Sequence, residues 1–248
     1  MKSSEIDVAV LRTDEVLPQF VGAHGDYPDM FKALLERTAR ARKPPVDVRL
    51  TFYDAREGNF PEPEAHPAYV ITGSRLSVYD DAPWIEALVD FLEEVLRVGG
   101  KVIGICFGHQ LMAHFFGGLT EPAERGWAVG VQESRTVSTE SWMDGDDGKV
   151  NLISSHKDQV TRLPDGAKLI LTSDFCPVGG FVMGDQVLTI QGHPEFQKDY
   201  SRDLMVMRRE MLGEETFELG VASLDKDIDN DRVGHWILNF IGASGETA

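Results

Sequence analysis

The chain has 248 residues, enough for one large α/β unit with a full core. Its 41 acidic residues outnumber 24 basic ones, for a net charge of −17. That surface repels nucleic acid and anionic membranes, so neither is expected as a partner. No stretch is apolar for long enough to span a bilayer, the Met1–Asp7 start lacks the apolar core of a signal peptide, and two cysteines cannot build a disulfide framework. The expectation is a cytoplasmic protein with reduced thiols.

Residues 6–11 form a first apolar strand, followed by a loop carrying Pro18, Gly22, Gly25 and Pro28. A helix over 29–42 takes its apolar face from Phe31, Leu34 and Leu35; Pro44 and Pro45 end it, and 46–52 resume as a strand. This strand–helix–strand order predicts a parallel pair. Residues 54–67 are rich in Glu and Pro, without an apolar period, and read as an exposed loop that could shape the rim of a site at the strand ends. A strand over 68–71 runs into Thr72-Gly73-Ser74-Arg75. The next helix starts at Pro83 with Asp81 as a candidate cap. Its residues Ile85, Leu88, Val89, Leu92 and Leu96 recur at helical spacing, which makes Trp84 and Phe91 packing residues.

The stretch from Lys101 to Gln110 joins a β-branched strand, Val102–Ile105, to a helix across one cysteine flanked by Gly104 and Gly108. A residue in such an elbow projects above the sheet, and the N–H groups of the following helix favour a thiolate. A buried structural role is the commonest fate of a lone cysteine, but elbow, glycines and helix coincide here, so Cys106 reads as a nucleophile. Cys106 and His109 also have zinc-ligand spacing, although the second close Cys or His pair of a structural zinc site is missing.

Further along, residues 124–139 suggest antiparallel strands of a partly exposed ribbon, and the acidic 142–149 segment a solvated turn, since it lacks the ligand order of a calcium loop. A strand over 150–154 leads into Ser155 and His156. Strands over 168–172, 179–183 and 186–191 follow, the last two joined by a turn at Gly184-Asp185. The last of them ends at Gly192-His193-Pro194-Glu195, where Pro194 keeps His193 extended and Glu195 can reach back to orient its ring. Cys176 takes no role. Helices over 200–212, 214–224 and 232–241 close the chain, and a small polar tail from Gly242 frays.

Gly104-Ile-Cys106-Phe-Gly108-His109-Gln110 and Gly192-His193-Pro194-Glu195 resemble the paired motifs of class I glutamine amidotransferases, in the same order and at similar spacing. The resemblance covers most of the chain as one domain, 1–248. It implies an α/β fold: a flavodoxin-like three-layer sandwich with a central, mostly parallel sheet and an added antiparallel ribbon. It also implies a Cys106-His193-Glu195 triad, oxyanion N–H groups at Gly73 and Phe107, and contacts to a bound glutamyl group from Gln110, Ser155 and His156. At Gly73 the chain reads Thr-Gly-Ser-Arg, departing from the family's consecutive glycines and proline.

Thr72-Gly-Ser-Arg, Asp81-Ala-Pro-Trp84 and Gln191-Gly-His-Pro-Glu-Phe196 look most like the stand-alone branch that includes γ-glutamyl peptidases. The glutaminase domain of GMP synthetase is also similar. The implied reaction is hydrolysis of a γ-glutamyl amide or peptide through a glutamyl thioester, needing neither metal nor organic cofactor. The alternative is a glutaminase subunit serving a separate synthetase, since the chain has no phosphate-loop motif of its own. A catalytically silent interaction protein is a third reading, against which the intact Cys, His and Glu count.

Overall fold

In the computed structural model, which describes residues 5–242, the chain opens with β1 (Glu5–Arg12), α1 (Pro18–His24), α2 (Tyr27–Ala41) and β2 (Asp47–Asp54). β1 and β2 are parallel, from Glu5 opposite Asp47 to Arg12 opposite Asp54. Helix α1 lies where the sequence suggests only loop: Pro18 occupies its first turn, where the missing N–H forfeits no bond. Helix α2 starts earlier than its apolar spacing indicates, because Asp26 and Asp29 form a reciprocal capping box around its first turn.

After a 3-10 turn at Ala55–Glu57 come β3 (Ala68–Ile71), α3 (Pro83–Arg97), β4 (Lys101–Ile105) and α4 (Phe107–Phe115). Ala82 precedes α3 without any side-chain cap, so Asp81 stands one residue too early for the role expected of it. Trp84 and Phe91 do pack, Trp84 against Phe107 and Phe91 between Phe60 and Tyr69.

Seven strands follow: β5 (Leu119–Pro122), β6 (Ala128–Thr136), β7 (Lys149–His156), β8 (Asp158–Arg162), β9 (Lys168–Thr172), β10 (Gly180–Met183) and β11 (Val187–Ile190). The last helices are α5 (Lys198–Met207), α6 (Arg209–Leu212), α7 (Glu214–Ser223) and α8 (Asn230–Gly242). The single helix expected over 200–212 is broken at Arg208, whose backbone leaves the helical range at φ −96°, ψ 9°. The tail expected to fray lies, from residue 243, outside the described residues.

The main sheet has nine strands in the order β2-β1-β3-β4-β11-β10-β9-β6-β7. Its first five are parallel; β10, β9, β6 and β7 extend them as an antiparallel arm. The expected ribbon is β6 with β7, so residues 124–139 supply only one of its strands, and β9 joins it to the sheet. A small β5–β8 pair stands apart, with no counterpart among the predicted strands.

Alternation along β1 divides the core. Val8 and Val10 face α2 and α8 with Phe31, Leu35 and Trp236, whereas Ala9 and Leu11 face α3 and α4 with Leu88, Leu92 and Leu111. These are the three layers of the sandwich, and each fully buried large apolar side chain contributes roughly 1.5–3 kcal/mol of transfer free energy. β4, β3 and β11 are buried on both faces, which accounts for their unbroken apolar sequences. A third cluster, with Tyr200, Leu204 and Met205 on α5, covers Val129, Val131 and Ile153 of the antiparallel arm.

Candidate active site

β4 passes into α4 across a single residue, Cys106, at φ 52°, ψ −97°. It is the one non-glycine residue with positive φ among the described residues. Strain of this kind persists only where the surroundings fix it. Here they do: the Cys106 amide donates to the Ile190 carbonyl at 2.9 Å, and its own carbonyl accepts from Gln110 N at 3.0 Å. The flanking glycines are sterically required. A Cβ on Gly104 would lie 2.5 Å from the Gly108 carbonyl, and one on Gly108 would lie 2.7 Å from Ile71 Cβ.

His193 follows β11 and is bridged to β7 by its amide, which donates to the Ile153 carbonyl at 2.8 Å. Its Nδ1 sits 2.8 Å from Glu195 Oε1, and its ring stacks on Phe196 at 3.9 Å between centroids. Glu195 is buried, and its other oxygen has no partner among the described residues, so the carboxylate serves the ring alone. Burial pulls the pKa of His193 down. The charges of Glu195 and Cys106, with hydrogen bonds to both, more than reverse this and raise it to about 10.

Gly73 lies against both of these residues: a Cβ there would meet His193 Cε1 at 2.7 Å and Cys106 Cβ at 3.6 Å. Its loop is clasped from the end of β1. Thr13 Oγ1 lies 2.9 Å from the Gly73 carbonyl and 3.2 Å from that of Thr72, while Thr13 N donates to Thr72 Oγ1 at 3.0 Å. In a trans peptide the N–H opposes the C=O, so holding these carbonyls towards Thr13 turns the Gly73 N–H away from β1. Asp14 adds a second clasp, accepting from Arg75 N at 2.8 Å and from the Arg75 guanidinium. Phe107 is the first residue of α4 and fully buried, its ring held against Trp84.

Cys106, His193, Gln110, Ser155 and His156 line one cleft with about 410 Å³ of water-accessible volume. Gln110 Nε2 donates to the Asp158 carbonyl at 2.7 Å and to Gln191 Oε1 at 3.1 Å. His156 Nδ1 is 2.9 Å from the same carbonyl; burial, opposed by that bond and assisted by the charge of His193, lowers its pKa to about 4. Ser155 Oγ accepts from Arg208 Nη1 at 2.8 Å. His109 does not pair with Cys106: its nitrogens meet Thr189 Oγ1 at 2.9 Å and the Val178 carbonyl at 3.1 Å.

Residues 24–209 match the model of the family described as glutamine amidotransferase class I. The chain belongs to the class I glutamine amidotransferase family. A glutamine amidotransferase-like protein of Schizosaccharomyces pombe is 29% identical over 94% of this chain and 98% of its own length. Gamma-glutamyl peptidase 4 of Arabidopsis thaliana is 35% identical over 60% of this chain and 62% of its own length. The glutamine-hydrolysing GMP synthase of Clostridium novyi is 32% identical over 64% of this chain but only 29% of its own length. A glutamine amidotransferase structure from Thermotoga maritima shares the fold, with a TM-score of 0.73 at 17% identity, over 96% of this chain and 99% of that one.

Family and relatives make this class I amidotransferase an enzyme of the glutamine amidotransferase and peptidase type. Its cleft also uses residues that the motifs do not single out: Asp14, Tyr27, Ser77, Trp127, Tyr200 and Arg208. Asp14 has a usable signal, since it leaves the C-terminal end of β1 at the edge that opens beside Gly73. Residues 54–67, expected at the rim, are absent from the lining. They pack elsewhere, Phe60 on Phe91 and Asp54 with Arg12 and Arg56, and the lining on this side comes from Asp14, Glu15, Leu17 and Ser74–Ser77.

Proposed function

We propose that this class I amidotransferase hydrolyses the γ-glutamyl bond of an amide or peptide through Cys106, His193 and Glu195. The observation that carries the reading is a strained elbow cysteine in one cleft with a histidine whose Nδ1 is 2.8 Å from a buried glutamate, the two meeting at Gly73, where a Cβ would lie 3.6 Å from Cys106 Cβ and 2.7 Å from His193 Cε1. The Cys106 thiolate adds to the γ-carbonyl carbon, and the oxyanion is held by the N–H groups of Gly73 and Phe107. The His193 imidazolium gives its proton to the departing nitrogen as the C–N bond breaks, leaving a glutamyl thioester. Neutral His193 then takes a proton from water, whose oxygen adds to the thioester, and glutamate leaves as the thiolate–imidazolium pair is restored. Glu195 holds the ring and its charge without taking the proton. Gln110, Ser155 and His156 contact the glutamyl group.

The test is glutamate release by purified protein from glutamine, glutathione and other γ-glutamyl amides, with mass analysis of trapped enzyme. Turnover of at least one substrate is expected without added protein or nucleotide, together with a glutamyl adduct on Cys106. A second reading, a subunit that passes ammonia to a synthetase, draws support from apolar side chains left exposed on α5, α6 and α7, namely Val206, Met211 and Leu219. Protein that is inert alone but active once a synthetase from the same cell is added would establish that reading instead.

A further inference from the structure

The proposed glutamyl contacts stand on one side of Cys106: Gln110 is on α4, its amide tied to the Asp158 carbonyl, and Ser155 and His156 end β7. The group that protonates the departing nitrogen must lie beside it, so whatever else that nitrogen carries projects past His193. Glutamine carries only hydrogen there. The cleft nevertheless continues beyond His193, over a floor of aromatic rings contributed by Tyr27, Phe196 and Tyr200. Phe196 stacks on the imidazole at 3.9 Å between centroids, Tyr27 stacks on Phe196 at 6.1 Å, and Tyr200 meets Phe196 edge-on at 4.9 Å. Leu17, Leu204 and Met207 add an apolar wall. The Gln19 amide, 3.6 Å from Met207 Sδ, joins the α1 side of this wall to α5. With about 410 Å³ in all, the cleft falls in the range of roughly 300–1,000 Å³ that encloses a ligand larger than an amino acid.

The floor is uncharged. Burial raises the Tyr200 phenol to about 12 and the Tyr27 phenol well above its ordinary value, and the charge of Asp14 adds to both. Arg75, the cation nearest this side, is paired with Asp14, so a carboxylate on the departing group would meet the field of an acidic chain of net charge −17. We propose that this floor and wall form the subsite for the departing amine, and that the substrate is a γ-glutamyl amide whose nitrogen bears an uncharged apolar group. The inference rests on the γ-glutamyl reading of the site and narrows it. Glutamine leaves the subsite unfilled, and a γ-glutamyl peptide brings a C-terminal carboxylate into it. On cleavage the nitrogen takes the His193 proton and leaves as the free amine, while the glutamyl carbon stays on Cys106 until water releases it as glutamate.

The experiment measures kcat/KM of the purified protein on γ-glutamylbenzylamide, γ-glutamylglycine and glutamine. Their departing amines are similar in basicity, so the comparison reads binding of the substituent and not ease of departure. The benzylamide should exceed the other two by about 10- to 100-fold, the gain expected from filling an apolar pocket. Leu17 and Met207 are partly exposed, so polar side chains fit there, and Leu17→Asn/Met207→Gln should lower the benzylamide-to-glutamine ratio about 10-fold, through KM. A general disturbance of the site would lower both rates and leave the ratio. Wild-type protein that cleaves glutamine, γ-glutamylglycine or any other γ-glutamyl compound with a charged departing group at least as well as the benzylamide overturns the inference and leaves the proposed function standing. A benzylamide preference that survives the double substitution overturns it too. Protein that cleaves no γ-glutamyl compound and forms no adduct on Cys106 overturns the proposed function, and this inference with it. Should the double variant fail to fold, Leu17→Asn decides alone, because Leu17 precedes the first turn of α1, where asparagine is favoured; an unchanged ratio again counts against the proposal.

Discussion

Cys106 and Cys176 are both buried, at 4% and 7% exposure, yet their surroundings differ. Cys176 lies in a tight turn where its amide donates to Ser173 Oγ and its thiol to the Val178 carbonyl at 3.3 Å. Burial pushes that thiol up to about 12, so at neutral pH it stays protonated. Cys106 sits on the elbow and lines the cleft with His193, both of them against Gly73. Burial therefore does not separate the proposed nucleophile from a packed thiol; under the proposed function the His193 imidazolium and a helix beginning at the next residue do.

The largest expected effect would break this comparison outright. A γ-glutamyl-like electrophile should label Cys106 and spare Cys176, and Cys106→Ser should lower kcat by roughly 10⁴-fold or more. Cys176→Ala should stay within a few-fold of wild type. Peptide mapping that finds the label on Cys176 reverses the assignment.

The next effect separates the members of the proposed triad. His193→Ala removes the proton carrier and should cost nearly as much as losing the nucleophile. Glu195→Gln keeps a neutral partner beside Nδ1 and should leave measurable turnover, reduced by about 10²- to 10⁴-fold. Both variants need native thermal melts before their rates are read. A Glu195 variant slower than the His193 variant contradicts the division of roles between proton carrier and orienting carboxylate.

A smaller effect concerns readiness of the Gly73 loop. Thr13→Val keeps the branched shape and removes the hydroxyl that holds two loop carbonyls, so kcat should fall by about 10-fold with KM little changed. Thr13→Ser should restore much of it. Alkylation of Cys106 by iodoacetamide develops no oxyanion and should proceed at the wild-type rate. A Thr13→Val enzyme with full kcat would show that the loop holds its orientation without the clasp.

Which half of the fold is readable from sequence follows from the physics of each half. The parallel strands β3, β4 and β11 are short runs buried on both faces, β3 opening after Pro67 and β4 after Gly100, a pattern with few alternatives. Both motifs stand at the ends of such strands, so Cys106, His193 and Glu195 stand out in the sequence as the candidates carried into the proposed function. The antiparallel arm is harder. β6 runs from buried Ala128 to half-buried Thr136, with Glu133 and Arg135 exposed, and its partner β7 lies beyond an acidic turn, so pairing depends on distant residues. The contact between Arg208 and Ser155 carries no sequence signal either, because it depends on the break between α5 and α6. The clasp at Gly73 joins residues 60 apart, a contact that local spacing cannot reveal.

The smallest effect sharpens the comparison through stability. Histidines in an unfolded chain titrate near 6.5, and His109 and His156 are held neutral in the fold, burial lowering them to about 3 and about 4. Below pH 6.5 the unfolded chain takes up protons that the fold refuses, so their contribution is lost as pH falls towards those values. His193 has the opposite sign. Its folded pKa, about 10, exceeds the unfolded value, so its contribution is complete below 6.5 and is lost as pH rises through about 10. Cys176 is silent across this range, because its unfolded thiol ionises only near 9.0 while the folded one waits until about 12. These groups together place a Tm maximum near pH 6.5. Thermal melts from pH 4 to 9 should show His193→Gln losing most of the alkaline decline, a few degrees in Tm, while keeping the acid decline. Cys176→Ala should keep the shape of the whole profile up to pH 9. An alkaline decline that survives in His193→Gln would mean that the proton held by the folded state belongs to another group, and the His193–Glu195 pairing would lose its thermodynamic signature.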